Sequence, residues 1–148
     1  MHLTHSTARS ITDLQQQACL DRIELAKNFL IAGDKLMKAR PALYRSAVSR
    51  YYYAMYHAAR AVAYFYHGGD DHESHSKLPK AIPGDFADSA VWQNQLKDAR
   101  SRRNEADYDP YPTDTHSWRR VAKDLQVKAP SLLSLADTYL KQKGCGTP

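Results

Sequence analysis

The stretch PALYRSAVSRYYYAMYHAARAVAYFYHGG, residues 41–69, decides the fold. Tyr44, Val48, Tyr51, Met55, Ala58, Val62 and Phe65 recur at alternating spacings of four and three, the mark of an apolar seam along one side of a helix. Pro41 is expected in the first turn, where its missing N–H costs nothing, and Gly68–Gly69 at the stop. Ala47, Ala54, Ala58, Ala59, Ala61 and Ala63 are small enough to let neighbouring helices come close. One step around lies a second stripe of Arg50, Tyr53, His57, Arg60 and Tyr64. Arg and Tyr grip phosphate and stack on bases, and His moves protons near neutral pH. The same stripe also suits a half-exposed helix face or a subunit contact.

Three further segments on either side carry the helical period, and none alternates as a strand does. The first is expected from Thr12 to Ala39, capped by Thr12 or Asp13, with Cys19, Ile23, Ala26, Leu30, Gly33 and Met37 on one stripe and Leu25, Phe29 and Leu36 beside it. Residues 67–84 form an irregular insert with a short helix expected near Ser74 to Lys80. The next helix is expected from Phe86 to Asp107, with Trp92, Leu96, Ala99, Arg103 and Ala106 inward. The last is expected from Thr115 to Gln142, its seam of Trp118, Ala122, Leu125, Ala129, Leu132, Ala136 and Tyr139 running in phase through a kink at Pro130. Short connections favour an antiparallel bundle. The expectation is an all-α fold of four main helices plus a short one. It forms a single domain over residues 1–148, with an ordered core at about 12–142 and flexible termini.

Composition narrows the class. The chain has 148 residues, 43% hydrophobic and 25% charged, and no apolar run near the roughly 20 residues of a membrane span. MHLTHSTARS lacks the apolar core of a secretory signal. Cys19 and Cys145 make no disulfide framework, and Cys145 sits in the Gly-rich tail KGCGTP, which reads as frayed. A reducing, cytoplasmic setting is expected. The net charge of +5 gains meaning from clustering, with Arg100, Arg102 and Arg103 in one group and Arg119, Arg120 and Lys123 in another.

Two polar stretches remain. HGGDDHESH, residues 67–75, packs three histidines and three acids into a short space, but the spacing fits no standard zinc pattern. A solvated loop without metal is expected. RSRRNEADYDPYP, residues 100–112, ends a helix at two prolines. Arg103 shares the stripe of Trp92, Leu96 and Ala99 and so points inward, where a guanidinium needs a partner. Asp107, one turn on, supplies one. A bidentate Arg103–Asp107 pair would make the stretch a tied helix end, whereas free Arg103 donors and a Tyr108 facing the same cleft would make it a phosphate site. Arg100 and Arg102 fall on other faces and are expected to be exposed.

SAVSRYYYAMYHAARAVAY, then ESHSKLP, then LKDARSRRNEADYDPY together resemble the HEPN domain family, across about residues 12–142. The resemblance implies a helical bundle that usually works as a homodimer. Many members are metal-independent endoribonucleases of toxin–antitoxin, phage-defence or CRISPR systems. Others bind RNA or nucleotide without cleaving, and small members often act with a minimal nucleotidyltransferase partner. The nuclease branch carries an arginine, usually followed by Asn, Asp or His, and a histidine about five residues, just over one helical turn, after the arginine. Arg103–Asn104 match the start, but the histidine position falls on Tyr108.

Metal-free RNA cleavage needs a group to take the 2′-hydroxyl proton and another to protonate the leaving oxygen. A tyrosine with a pKa of about 10 is a poor base at pH 7. Catalytic candidates are therefore Arg103, Asn104, Asp107, Tyr108 and His57, the last as a substitute imidazole from the second helix. In some relatives a tyrosine two places past the histidine is nucleotidylated. That position is Pro110 here, with Tyr108 and Tyr111 displaced beside it. The leading expectation is a cofactor-free RNA- or nucleotide-binding module using Arg50, Tyr53, His57, Arg100, Arg102, Arg103 and Tyr108. The alternatives are a divergent ribonuclease and a purely structural protein.

Overall fold

A computed structural model describes residues 10–145. Its helices are α1 (Ile11–Lys38), α2 (Tyr44–Tyr66), α3 (Leu78–Ala81), α4 (Ser89–Tyr108) and α5 (Thr115–Gln142). The fold is all-α, four main helices and a short one packed together, with no strand among the described residues. None of these helices is long and apolar enough to cross a membrane. The termini expected to be flexible fall largely on residues 1–9 and 146–148, outside the described residues.

α2 is the central helix and packs on all four others. Its seam is buried as expected at Val48, Tyr51, Met55, Ala58 and Val62, while Tyr44 and Phe65 are partly covered. Burial extends much further round, through Ala47, Ser49, Tyr52, Ala54, Tyr56, Ala59, Ala61 and Ala63, because α1, α4 and α5 enclose the helix from three sides. Directions follow from the contacts. Gly33 meets Tyr51, Phe29 meets Tyr53 and Gln15 Nε2 donates to the Gly68 carbonyl, pairs of nearly constant number sum, so α1 runs antiparallel to α2. Ser49 with Asp107 and Tyr52 with Arg103 do the same for α4.

Several boundaries differ from expectation for local reasons. Ser10, rather than Thr12 or Asp13, caps α1, its side chain accepting from the Asp13 N–H at 3.0 Å. Pro41 lies before α2, which begins at Tyr44 after the Leu43 N–H has bonded back to the Leu36 carbonyl at 3.0 Å. α2 stops at the glycines as expected. Gly68 and Gly69 take φ of +67° and +101°, and the Gly69 N–H closes on the Tyr64 carbonyl at 2.9 Å. The short helix is displaced to Leu78–Ala81, and α4 begins at Ser89 rather than Phe86. α5 has the expected bounds and inner seam and stays one helix through Pro130, capped by Asp114, which accepts from the Ser117 N–H. Leu25 stands largely outside the core. Cys145 is not frayed. It is fully buried with its sulfur on the Gln16 carbonyl and beside Cys19, whose thiol burial pushes up to about 12.

Gly33 is required by packing. A Cβ there would lie 2.6 Å from the Tyr51 ring, whose hydroxyl is fixed by donating to Asp34 at 2.5 Å. Gly33→Ala gains helix propensity of about 1 kcal/mol but overpacks a tight helix crossing. A net loss of about 1–2 kcal/mol is expected, read as a lower denaturant midpoint at unchanged slope.

Candidate functional site

The inner stripe of α4 carries Arg103 into the bundle against α2, where the residue is 9% exposed. Its guanidinium carbon lies 5.2 Å from the Tyr52 ring centroid and 5.5 Å from that of Tyr53. The expected bidentate pair is not formed. Nη1 reaches Asp107 Oδ2 only at 3.9 Å, and that oxygen also accepts from Ser49 Oγ at 3.4 Å. Arg103 Nε and Arg100 Nε are buried and find no hydrogen-bond partner among the described residues. Arg100 is half-buried rather than exposed as expected. Buried donors without acceptors cost folding free energy, so this end of the bundle holds two guanidiniums in incomplete surroundings.

The insert is a loop, as expected, with Asp70, Asp71, Glu73, Ser76 and Lys77 exposed, but it is also tied down on α2. Residues 70–77 form a strap laid on the second stripe of α2. Arg60 holds Asp71 through Nε at 3.1 Å and Nη2 at 2.5 Å, and the Tyr56 hydroxyl donates to the Glu73 carbonyl. His75 stacks on Tyr56 at 4.1 Å between ring centroids, and its Nδ1 lies 2.6 Å from the Tyr52 hydroxyl. The strap thereby delivers an imidazole beside Arg100 and Arg103, whose charges, with burial as the larger cause, lower the His75 pKa. Between strap and α4 lies a cleft of about 310 Å³, lined by His75, Ser76, Pro79, Lys97, Arg100, Ser101 and Asn104 and by no carboxylate. Among the described residues no three His, Cys, Asp or Glu side chains converge as a metal set.

Hydrogen bonding fixes both imidazoles. His57 Nδ1 lies 3.1 Å from Arg22 Nη1, and a guanidinium only donates, so Nδ1 accepts and Nε2 carries the proton. Burial, then the charges of Arg22 and Arg60, depress the His57 pKa to about 4. Tyr52 is buried, its hydroxyl pKa is raised by burial, and among the described residues His75 Nδ1 is its one hydrogen-bond partner. The hydroxyl therefore donates to Nδ1, and His75 also carries its proton on Nε2. Both rings present a donor N–H where a general base would need a lone pair.

The low His57 value sets a pH dependence. Between about 6.5 and about 4 the unfolded chain takes a proton that the folded one refuses, so stability falls as pH falls through that window. His75 adds the same sign. His57→Gln is expected to flatten the melting temperature against pH between these values. A curve parallel to wild type would refute a neutral His57.

The other anticipated residues divide. Asn104 lines the cleft, and Asp107 stands at the rim of Arg103. Arg50 is exposed near Phe29, and half-buried Tyr53 bridges Phe29 and Arg103. His57 packs on Phe29 and Tyr56, with its Nδ1 toward Arg22. Arg102 pairs loosely with Glu105 at 3.7 Å on a separate α4–α5 groove, and Tyr108 is 76% exposed at the helix end with no contact to the cluster. Sequence reading missed His75, Tyr52 and Ser49 as site residues. It also missed Arg45, whose guanidinium collects the carbonyls of Glu105, Ala106, Asp109, Pro110 and Pro112 and lies 4.6 Å over the Trp118 ring. Only the ESHSKLP resemblance signalled His75; nothing local signalled Arg45.

A family model described as HEPN domain matches residues 20–137. No curated protein and no solved structure matches the chain.

Proposed function

The chain belongs to the HEPN domain family, and we propose that it is an RNA- or nucleotide-binding module that does not cleave on its own. The observation that carries this reading is the pair of guanidiniums at Arg100 and Arg103, each with a buried, unpartnered Nε, beside a cleft that no carboxylate lines. Phosphate oxygens are the acceptors that such donors lack. Arg103 clamps phosphate, Lys97 and Arg100 add attraction, His75 and Asn104 donate, and Tyr53 with Arg50 offers a stacking face toward α1. A homodimer and a separate nucleotidyltransferase as partner fit the family, and Tyr108 and Tyr111 are exposed.

The second reading, a divergent metal-independent ribonuclease, has one observation in its favour: His75 brings an imidazole to Arg103 from outside the motif. Against it stands the hydrogen bonding, which engages the Nδ1 atoms of His57 and His75 with Arg22 and Tyr52 rather than leaving them free to accept the 2′-hydroxyl proton.

Fluorescence polarisation of labelled single-stranded RNA, with EDTA present, tests the binding reading. Wild type and Tyr108→Phe are expected to bind alike, and Arg103→Ala at least about tenfold more weakly. Equal binding by Arg103→Ala would leave the stretch a helix end.

A further inference from the structure

We infer that the cleft between the strap and α4 receives a terminal phosphate, a phosphomonoester dianion, rather than the phosphodiesters along a strand. This narrows the RNA- or nucleotide-binding reading and rests on it. Size is the first argument. About 310 Å³ holds a phosphate group with water and lies at the bottom of the range for pockets that enclose a whole small molecule. The nucleoside must therefore stay outside.

Charge is the second. Lys97 and Arg100 line the cleft, and Arg103 stands behind it, its guanidinium carbon 5.2 Å from the ring of Tyr52, whose hydroxyl meets His75. A diester brings one negative charge and two free oxygens. A monoester brings close to two charges and three strong acceptors, a better match for the two cations that line the cleft. The third argument is the kind of polar group presented. Lys97, Arg100 and the His75 Nε2–H can only donate, while Ser76, Ser101 and Asn104 can both donate and accept. Ionised donors bond a dianion more strongly than a monoanion, so the charge of the lining favours the dianion. Arg100, which lines the cleft, has its Nε buried and without a hydrogen-bond partner among the described residues, so this polarity is built in rather than being a chance of surface side chains.

The dianion has two sources, a nucleoside monophosphate and the 5′ end of an RNA strand. One sequence of short single-stranded RNA, labelled at its 3′ end and carrying either a 5′-phosphate or a 5′-hydroxyl, is titrated with the full chain in EDTA. The 5′-phosphate strand is expected to bind about tenfold more tightly near neutral pH. The advantage should shrink as pH falls below the second phosphate pKa near 6, and vanish in Arg100→Gln and His75→Gln. His75→Asn and a thermal melt of each variant separate lost binding from lost folding. Displacement of the strand by adenosine monophosphate, but not adenosine, identifies a free nucleotide as sufficient; failure of both while the 5′-phosphate preference holds assigns the ligand to an RNA end. Equal affinity for the two strands, still dependent on Arg103, overturns the inference and leaves the binding reading standing. No binding of either strand overturns that reading itself.

Discussion

Arg103→Met is expected to weaken RNA binding by about 10- to 100-fold while leaving the melting temperature unchanged or slightly higher. The two halves have one cause. Arg103 is 9% exposed, its Nε has no partner, and its one ion pair among the described residues is a 3.9 Å contact with Asp107. A buried guanidinium so poorly compensated returns little for its desolvation, and an apolar chain of similar length between Tyr52 and Tyr53 removes that cost. Phosphate bonding is lost at the same time, at about 1.5–3 kcal/mol for charge-assisted bonds. The salt dependence of binding should also flatten by about 0.7 per lost contact on a single strand. A purely structural pair predicts the opposite, a lower melting temperature with nothing to lose in binding. Arg103→Lys keeps the charge but not the fork and should recover part of the affinity.

Arg45→Ala should cost about 3 kcal/mol, a fall of about 6–12 °C in melting temperature for a chain of this size. Arg45 bonds five carbonyls at the end of α4 and in the loop after it, from Glu105 at 3.5 Å to Asp109 at 2.5 Å. It also packs on Trp118, whose indole N–H donates to the Pro112 carbonyl at 2.8 Å. Positive charge at a helix C-terminus further suits the dipole. Without it the last turn of α4, which carries Asp107, loses its anchor, and amide exchange there should quicken. Arg102→Ala, which breaks only an exposed 3.7 Å pair, should change stability by less than about 0.5 kcal/mol. Similar losses in both variants would refute the clamp.

The helices were legible because burial in a bundle repeats with the helical period. Trp92, Leu96, Ala99, Arg103 and Ala106 are the buried residues of α4, and α5 has both its expected ends. Even the inward arginine could be placed from its stripe. Ends set by tertiary contacts were harder to place. Pro41 reads as a first-turn residue, yet the Leu43 bond to Leu36 delays α2 to Tyr44.

The site was half legible for a related reason. Arg100, Arg103 and Asn104 lie on one continuous helix, so spacing alone brings them together. His75 comes from an irregular segment whose acids and histidines look alike whether solvated or strapped down by Arg60, Tyr56 and Tyr52. His57, the imidazole that helical spacing offered, faces Arg22 instead. Arg45 carries no sign in the sequence because its partners are backbone carbonyls, which every residue has.

Binding without cleavage is the central claim, and RNA integrity under saturating protein tests it most directly. A mixed pool of end-labelled single-stranded RNA is held with excess protein in EDTA, with occupancy followed by polarisation and strand length by gel. Full-length RNA at full occupancy is the expected result, in keeping with two imidazoles whose lone pairs already accept from Arg22 and Tyr52. Strand scission that disappears in both Arg103→Ala and His75→Gln would contradict the account and make the cleft a nuclease centre.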